Sequence, residues 1–429
     1  SRAAANGMAP RVPNMSEPSV TDAPETPATP TELSELLAGV HAARTSVRVV
    51  GSGTWLDAGR PVTATRRITT RGLSGIVEYV PGDLVITVRG GTTLGEIADV
   101  TAAHDQWLAL DPYVHAGALR TATIGATIAT ASSGPLSLGF GRARDLALGL
   151  SFVCGDGTPV RAGGRVVKNV AGFDLVRLTT GAWGTLGVIT EISLRLHARP
   201  AIDESFAIHL DWPATTDARA AALTALAQRL NTPPLLAVTS ALVSLVVLTD
   251  HATGVLGGAA QADRCVLLAR ATGNRTRVHA IRQALAVLGD LVPVDVAVWD
   301  AVRTLESGNT TIRSSDAPSR MGDTWQHVST WMAQHRAREV HTIIEPLRGA
   351  LRMSGKCADN NGDVDSAADA DAGTGDVRGW RLPARALAER LPAAAWGAQP
   401  SSIDDVISQR LRTTLDPAGV LNPGILGAH

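Results

Sequence analysis

A short glycine turn follows the first apolar run of the sequence. The run is VRVV at residues 47–50, and the small residues after it are Gly51, Ser52, Gly53 and Thr54. A glycine turn after a strand is where a dinucleotide-binding fingerprint holds a pyrophosphate. That fingerprint would need a third glycine at the position of Leu56 and a helical pattern after it, and neither is present. The residues alone therefore favour an ordinary turn over a Rossmann-type site.

A second segment, TATIGATIATASSG at residues 121–134, almost entirely lacks large side chains. Something else must fill the space beside this backbone, and a flat or phosphate-bearing ligand could do so. Glycines allow the backbone to approach closely, and hydroxyls with neighbouring amides can hold a pyrophosphate without a basic cluster. The residues concerned are Thr123, Gly125, Ser132, Ser133 and Gly134. Tight packing of strand on strand explains the composition equally well.

A third glycine-rich stretch, GRVVKNVAGFDLVRLTTGAWGTLGVIT, spans residues 164–190. We predict that Asp174 caps a short helix ending at Gly181. The following VITEISLRL predicts a strand with apolar residues on one face and polar residues such as Ser193 on the other. Three glycines between residues 181 and 187 indicate a backbone that lies directly on a ligand.

Metal and nucleophile chemistry have weaker support. HRAREVHTIIE at residues 335–345 groups two histidines and two glutamates, but its β-branched content predicts a strand that would scatter them. The aspartates from residue 359 lack the glycine and glutamate of a calcium loop. Cys154, Cys265 and Cys357 are too far apart in sequence for a local cluster, and Cys154, in FVCG, is interpreted as a buried structural thiol.

The bulk composition is typical of a globular enzyme. The 429 residues are 45% hydrophobic and 18% charged, and this length predicts two or three folding units. A net charge of −1 argues against nucleic acid as a partner. No run of eighteen apolar residues occurs, and residues 1–28 have no apolar signal region, so we expect a disordered leader and a cytoplasmic location.

Capping patterns and apolar runs predict the elements around these segments. Thr29 with Glu32, and Thr93 with Glu96, have the spacing of capping boxes that begin helices. We also predict strands at residues 47–50 and 84–88, a hairpin over LALGLSFVCGDGTPV and a last helix around residues 403–415. The composition changes near Pro200, where we place a second unit.

The segment from Gly164 to Pro200 resembles the signature of FAD-linked oxidases with a flavin domain of the vanillyl-alcohol-oxidase or PCMH type. Within that family it is most similar to the FAD-binding subunit of glycolate oxidase. VVGSGT, the DP before TATIGATIAT, ASSG and the terminal DPAGVLNPG occur in the family's order. The resemblance covers roughly residues 31–200 and 400–427.

The resemblance implies an α+β fold. A PCMH-type FAD-binding domain of two subdomains would span residues 29–200, and an α+β cap, or substrate, domain would span residues 201–357. Residues 358–379 would form an acidic flexible loop. Residues 380–429 would complete the cap and return to pack on the FAD domain.

The resemblance also implies the residues that bind FAD. Gly51, Ser52, Gly53 and Thr54 match the first pyrophosphate loop. The second contact would come from Thr123, Ile124 and Gly125, followed by Ser132, Ser133 and Gly134. The backbone of Ile189 would lie along the FAD, and Lys168 belongs to the family's K-N-x-A-G-[YF]-D segment.

Two departures from the family pattern affect the expected chemistry. Trp55 follows the first loop, and no cysteine precedes Cys154, so we expect FAD to be bound non-covalently. The motif H-R-x-G-D-G-N-x-H of related 2-hydroxy-acid dehydrogenases is absent.

We also expect Gly125→Val to abolish FAD retention in a chain that still folds, because it would block a backbone approach.

The activity implied is oxidation of a small 2-hydroxy acid, glycolate or D-lactate, to the 2-oxo acid. Electrons would pass to partners, a catalytic flavin subunit and an iron–sulfur subunit, which would supply any attachment to the inner face of the membrane. The missing histidine motif favours one alternative, a non-catalytic FAD-binding electron-relay or structural subunit. A stand-alone FAD-dependent alcohol oxidase or dehydrogenase is the other alternative. The sequence identifies no catalytic base.

Overall fold

The computed structural model describes residues 23–114, 119–164, 174–244, 264–304, 308–357, 386–391 and 401–427, with Leu382, Ala395 and Gln399. The predicted acidic loop at 358–379 lies outside these residues. The helices are α1 Pro30–Ala42, α2 Leu94–Ala102, α3 Ile124–Thr130, α4 Ser137–Phe140, α5 Ala143–Leu146, α6 Leu175–Thr179, α7 Thr216–Leu230, α8 Arg275–Ala286, α9 Val298–Thr304, α10 Met321–Gln334 and α11 Val406–Leu415.

The strands belong to four sheets. They are β1 Val47–Val50, β2 Arg66–Thr69, β3 Ile76–Val80, β4 Val85–Arg89, β5 Gln106–Trp107, β6 Ala147–Val153, β7 Pro159–Gly163, β8 Val188–Arg195, β9 His197–Ala198, β10 Ile202–Asp211, β11 Thr239–Ser244, β12 Arg264–Gly273, β13 Val292–Val294, β14 Thr310–Ser315, β15 Arg338–Glu345, β16 Ala350–Lys356 and β17 Ala386–Arg390.

The first half of the chain contains a small parallel pair and a five-stranded sheet. β1 pairs with β2 in parallel, and α1 packs on this pair through Leu33, Leu37 and Val40. The five-stranded sheet has the order β3-β4-β8-β6-β7 and is antiparallel throughout. The predicted hairpin is confirmed as β6 and β7.

The second half is built on an eight-stranded antiparallel sheet in the order β13-β10-β12-β11-β15-β16-β14-β17. Helices α7, α8 and α10 bury their apolar residues in one core with this sheet. Helices thus accompany largely antiparallel sheets in both halves, and the α+β prediction is confirmed. No helix in the described ranges is long and apolar enough to cross a membrane.

The capping predictions are confirmed in their main features. Thr29 accepts a hydrogen bond from the amide of Glu32 at the start of α1, although the Glu32 carboxylate accepts from Ala28 rather than from Thr29. Thr93 and Glu96 form the full capping box of α2. Asp174 caps α6 by accepting from the amide of Arg177.

Three local features differ in detail from the sequence patterns. Residues 124–130 form helix α3, so the strand packing left open as one alternative for this segment is not what the structure has. The predicted strand at 84–88 begins one residue later because Leu84 has φ +54°. Ser193 is buried, since β8 lies in the middle of its sheet and the Ser193 hydroxyl hydrogen-bonds that of Thr87 at 2.9 Å.

Both ends of the described chain pack on β1 and β2. Glu25, inside the segment predicted as a leader, pairs with β2 and forms an ion pair with Arg66. At the other end, the amide of Val47 donates to the carbonyl of Val420, and the amide of Asn422 donates to the carbonyl of Val47. The C-terminal segment therefore extends the small parallel pair.

Candidate functional site

A cavity opens where four separate segments meet. They are the turn after β1, the first turns of α3, the loop that enters β8, and the C-terminal segment. The predicted site residues on its wall are Gly51, Gly53, Thr54, Gly125 and Ile189. The structure thus brings together residues from both predicted pyrophosphate contacts and the predicted strand.

The first wall depends on a close approach between the turn after β1 and the N-cap of α3. A Cβ atom on Gly51 would lie 2.1 Å from the hydroxyl oxygen of Thr123, so a larger residue at position 51 does not fit. The hydroxyl of Thr69 donates to the carbonyl of Gly51 at 3.1 Å. Gly53 then turns the chain with φ +87°, which favours glycine.

The second wall is formed by α3, which starts against the backbone of Gly90. The amide of Gly125 donates to the carbonyl of Gly90 at 2.8 Å, and a Cβ atom on Gly125 would lie 2.7 Å from that oxygen. The expectation that Gly125→Val leaves the fold intact is therefore wrong. The valine would collide with the chain's own backbone before it met a ligand.

The third wall is the beginning of β8. Gly187 has φ +156°, and a Cβ atom there would lie 2.4 Å from the ring of Phe152. The Gly187 backbone therefore packs on the protein's own core on one side and lines the cavity with Val188 and Ile189. The glycines of this loop thus serve internal packing as well as the cavity.

Polar atoms near the cavity have unused hydrogen-bonding capacity. The hydroxyl oxygens of Ser52, Thr54 and Thr123 are buried and have no hydrogen-bond partner. Buried polar groups are normally satisfied, so these three atoms are suited to a ligand that carries oxygen acceptors. Thr54 lines the cavity, Ser52 lies between the lining residues Gly51 and Gly53, and the Thr123 hydroxyl lies against Gly51. The residues present therefore fit the phosphate portion of FAD.

Charge on the cavity wall is sparse. Arg48 is the basic residue among the lining residues, all of which are described. Its Nη2 donates to the carbonyl of Leu56 at 2.6 Å. Burial, and then the neighbouring Arg67, lower the pKa of Arg48. The cavity thus offers one cation near the turn, the amide of Asn422, and otherwise small, apolar or hydroxyl-bearing side chains.

An aromatic pair completes the wall. The rings of Trp55 and Trp183 meet edge to face with centroids 5.9 Å apart. Together with Leu56, Val188 and Ile425, they give the cavity an apolar portion beside its small polar turn. This division suits a molecule with a flat ring at one place and phosphates at another.

The other predicted site residues lie elsewhere. Ser132 donates to the carbonyl of Tyr113, Ser133 accepts from the amide of Ala143, and Gly134 packs directly on the carbonyl of Asp111. None of these three residues lies on the described cavity wall. Ile124 is buried in the core beside it, and Lys168 lies outside the described residues.

A buried charged cluster next to these serines was missed by the sequence reasoning. The hydroxyl of Tyr113 donates to Glu345 at 2.9 Å, and Arg348 donates to the other oxygen of Glu345 at 2.7 Å. Arg348 also reaches the carbonyl of Gly134 at 3.2 Å. The cluster therefore joins the turn after α3 to the end of β15 in the eight-stranded sheet. The sequence signal that touches this cluster is the DP before TATIGATIAT, which contains Asp111 but does not reveal its partners.

Burial dominates the electrostatics of this cluster. It raises the pKa of Asp111 to about 6, against the opposing effect of Arg303, whose Nη1 lies 3.9 Å from the carboxylate. Burial, followed by the charge of Glu345, also raises the pKa of Tyr113. Both groups are therefore held neutral more readily than in water.

The other candidates give no competing site. Residues 338–345 form β15, and Glu339 pairs with Lys356 at 2.7 Å. The described part of the chain contains no group of three or more metal-ligating side chains. Cys154 is buried, and burial raises the pKa of its thiol to about 11, which suits a structural rather than a reactive cysteine.

Comparison with known proteins finds a family match for the first part of the chain. Residues 22–163 match the family described as FAD binding domain. Glycolate oxidase subunit GlcE of Escherichia coli is 41% identical over 157 residues, which are 37% of this chain and 44% of the relative. D-lactate dehydrogenase of Archaeoglobus fulgidus is 31% identical over 192 residues, 45% of this chain and 42% of the relative. The chain thus spans less than half the length of these relatives.

The fold is also similar to a solved structure over most of the chain. The structure of p-cresol methylhydroxylase superposes with a TM-score of 0.62 at 12% identity, covering 94% of this chain and 88% of the other. Identity this low supports the fold alone. The family match is narrower and shows that residues 22–163 resemble an FAD-binding domain. Its cofactor is accordingly FAD.

Proposed function

We propose that this chain is the FAD-binding subunit of a glycolate oxidase type complex. It would oxidise a small 2-hydroxy acid, glycolate or D-lactate, to the 2-oxo acid. The observation that carries the proposal is the cavity itself, in which Gly51, Gly125 and Ile189 meet next to buried hydroxyls without partners. The similarity to GlcE supports the choice of complex and substrate.

The chain's own residues would bind and orient the cofactor. Ser52, Thr54 and Thr123 would hold the phosphates, and the tryptophan pair would border a ring. FAD supplies the acceptor for the hydride that leaves the substrate carbon. The attachment is proposed to be non-covalent, because Trp55 follows the first loop and Cys154 is a buried thiol of raised pKa.

Electrons would then leave through partners. We propose a catalytic flavin subunit and an iron–sulfur subunit as those partners. Cys154, Cys265 and Cys357 are each buried, and the described residues contain no group of three or more metal-ligating side chains that could serve as a cluster site for onward transfer.

A second role is favoured by one absence in the sequence. The chain has no H-R-x-G-D-G-N-x-H motif with which related dehydrogenases orient the substrate hydroxyl. In this alternative the chain binds FAD and relays electrons, while a partner carries out the oxidation.

Anaerobic reduction separates the two roles. The FAD-loaded chain is mixed with glycolate or D-lactate, alone and with co-purified partners, and flavin absorbance is followed. Bleaching of the chain alone supports autonomous oxidation, whereas bleaching only with partners supports the relay. A flavin that stays oxidised under both conditions would contradict 2-hydroxy-acid oxidation.

A further inference from the structure

The aromatic wall of the cavity rests on a residue with an uncommon backbone conformation. Trp183 has φ +53°, in the left-handed region that bulky residues rarely adopt. Its amide donates to the carbonyl of Ala129 at 2.9 Å, at the end of α3. Its ring then meets that of Trp55 across the turn after β1. Such a conformation persists only where surrounding contacts determine it.

One side chain from the far end of the sequence supplies that contact. The Nδ2 of Asn422 donates to the carbonyl of Trp183 at 2.9 Å. Its Oδ1 accepts from the amide of Val49 at 2.8 Å. Asn422 is 97% buried and lines the cavity itself, so both bonds are shielded from water. A single amide therefore ties the tryptophan loop to β1.

The surroundings hold Asn422 in this position. Asp416 accepts hydrogen bonds from the amides of Val420 and Leu421 and fixes the backbone just before it. Asn422 has φ +43°, which asparagine tolerates better than most residues. On the other side, a Cβ atom on Gly184 would lie 2.7 Å from its Nδ2, so position 184 must stay small.

We infer that Asn422 is a positioning residue for the cofactor: it holds Trp183, and through it the Trp55–Trp183 pair, as a preformed wall for a flat ring of FAD. The inference rests on the proposed site. A preformed aromatic wall binds a ring without the loss of side-chain freedom on binding. An acidic or apolar side chain at position 422 cannot replace the hydrogen bond that Nδ2 donates to the carbonyl of Trp183.

Asn422 makes three contributions: a donor to the carbonyl of Trp183, an acceptor for the amide of Val49, and a backbone with positive φ. Two substitutions separate them. Asn422→Asp keeps the acceptor for Val49 and a residue tolerant of positive φ, but places an oxygen opposite the carbonyl of Trp183. Asn422→Gly keeps the backbone conformation and removes both side-chain bonds. If either variant fails to fold, the other still permits the measurement.

Asn309 provides a matched control. Its Nδ2 donates to the carbonyl of Cys357 at 2.9 Å and its Oδ1 accepts from the amide of Cys357 at 3.0 Å. It makes the same kind of bridge at the end of the paired strands β14 and β16 of the eight-stranded sheet, and it does not line the cavity. Asn309→Asp therefore reports what losing such a bridge does to folding alone.

The test measures FAD affinity, near-ultraviolet circular dichroism and thermal stability for the apoprotein of each variant. We expect Asn422→Asp to weaken FAD binding about tenfold or more and to change the tryptophan dichroism. Asn309→Asp should lower the melting temperature with both other readouts unchanged. Wild-type affinity and dichroism in both Asn422 variants would overturn the inference.

The outcome also distinguishes this inference from the proposed function. If wild type binds FAD and the Asn422 variants bind it equally well, only the role of Asn422 is wrong. If wild type binds no FAD, the proposed site is wrong and the inference fails with it.

Discussion

At the scale of single residues, the cavity depends on contacts between the chain's own atoms as much as on contacts with a ligand. Gly51 and Gly125 both lie where a Cβ atom would meet another part of the protein. Their size is thus required for the turn after β1 and α3 to come together at all. Cofactor binding and folding are coupled at these two positions.

The close approach at Gly51 gives a direct stability prediction. Gly51→Ala places a methyl group 2.1 Å from the hydroxyl of Thr123, so we expect a loss of about 1–3 kcal/mol in the free energy of unfolding. Gly39→Ala is the control, because Gly39 lies in α1 with no atom within 4 Å of the added carbon. Denaturant unfolding should show a neutral or slightly stabilising effect there, and equal effects at both positions would contradict the packing described.

The carboxyl group of Asp111 predicts a pH dependence of stability. Its pKa is raised by burial from 3.8 to about 6, so its neutral form is favoured in the folded state. The resulting stabilisation is fully present below pH 3.8 and is lost as the pH rises through about 6, a change of at most about 3 kcal/mol.

Asp111→Asn isolates this contribution, since an amide cannot titrate and its oxygen can still accept from the amide of Leu136. The difference in unfolding free energy between wild type and variant should change between pH 4 and pH 6.5 in urea titrations. A difference that stays constant over that range would show that Asp111 has an ordinary pKa.

At the scale of elements, helix starts were predictable and α3 was not. A capping box involves residues close together in sequence, so Thr93 and Glu96 predict the start of α2 without any tertiary information. The β-branched residues of TATIGATIAT instead favour a strand. In the structure, the hydroxyls of Thr127 and Thr130 donate to carbonyls four residues earlier. Packing of α3 between β8 and the turn after β1 therefore overrides local propensity.

The capping box of α2 can be tested alone. Thr93→Ala removes the oxygen that accepts from the amide of Glu96, and we expect a loss of about 1 kcal/mol in unfolding free energy. Thr413→Ala is the control, because that exposed hydroxyl only donates back to Gln409 within α11. Equal effects of the two substitutions on denaturant unfolding would argue against the cap.

At the scale of the whole molecule, the contacts that finish the site join residues far apart in sequence. Sequence patterns, read together with the family resemblance, identified Gly51, Gly53, Thr54, Gly125 and Ile189, all of which line the cavity. They missed Trp183 and Asn422, because the bond from Asn422 to Val49 spans 373 positions. The cluster of Tyr113 and Glu345, 232 positions apart, was missed for the same reason.

The Tyr113–Glu345 bond should contribute to cohesion between the two halves. Tyr113→Phe removes the donor and leaves a buried carboxylate oxygen without it, so we expect a loss of about 1–3 kcal/mol in unfolding free energy. Tyr79→Phe, which removes a half-buried hydroxyl bonded to Gln106 within the first half, is the comparison. A smaller loss for Tyr113→Phe than for Tyr79→Phe in urea would contradict the importance of this contact.

The central claim is that the cavity binds FAD without a covalent bond, and the flavin content of the chain tests it most directly. The purified chain is saturated with FAD, freed of excess by gel filtration and precipitated with acid. We expect an equimolar amount of FAD in the supernatant and a colourless precipitate. A chain that retains no flavin after gel filtration, or flavin that remains with the precipitate, would contradict the account.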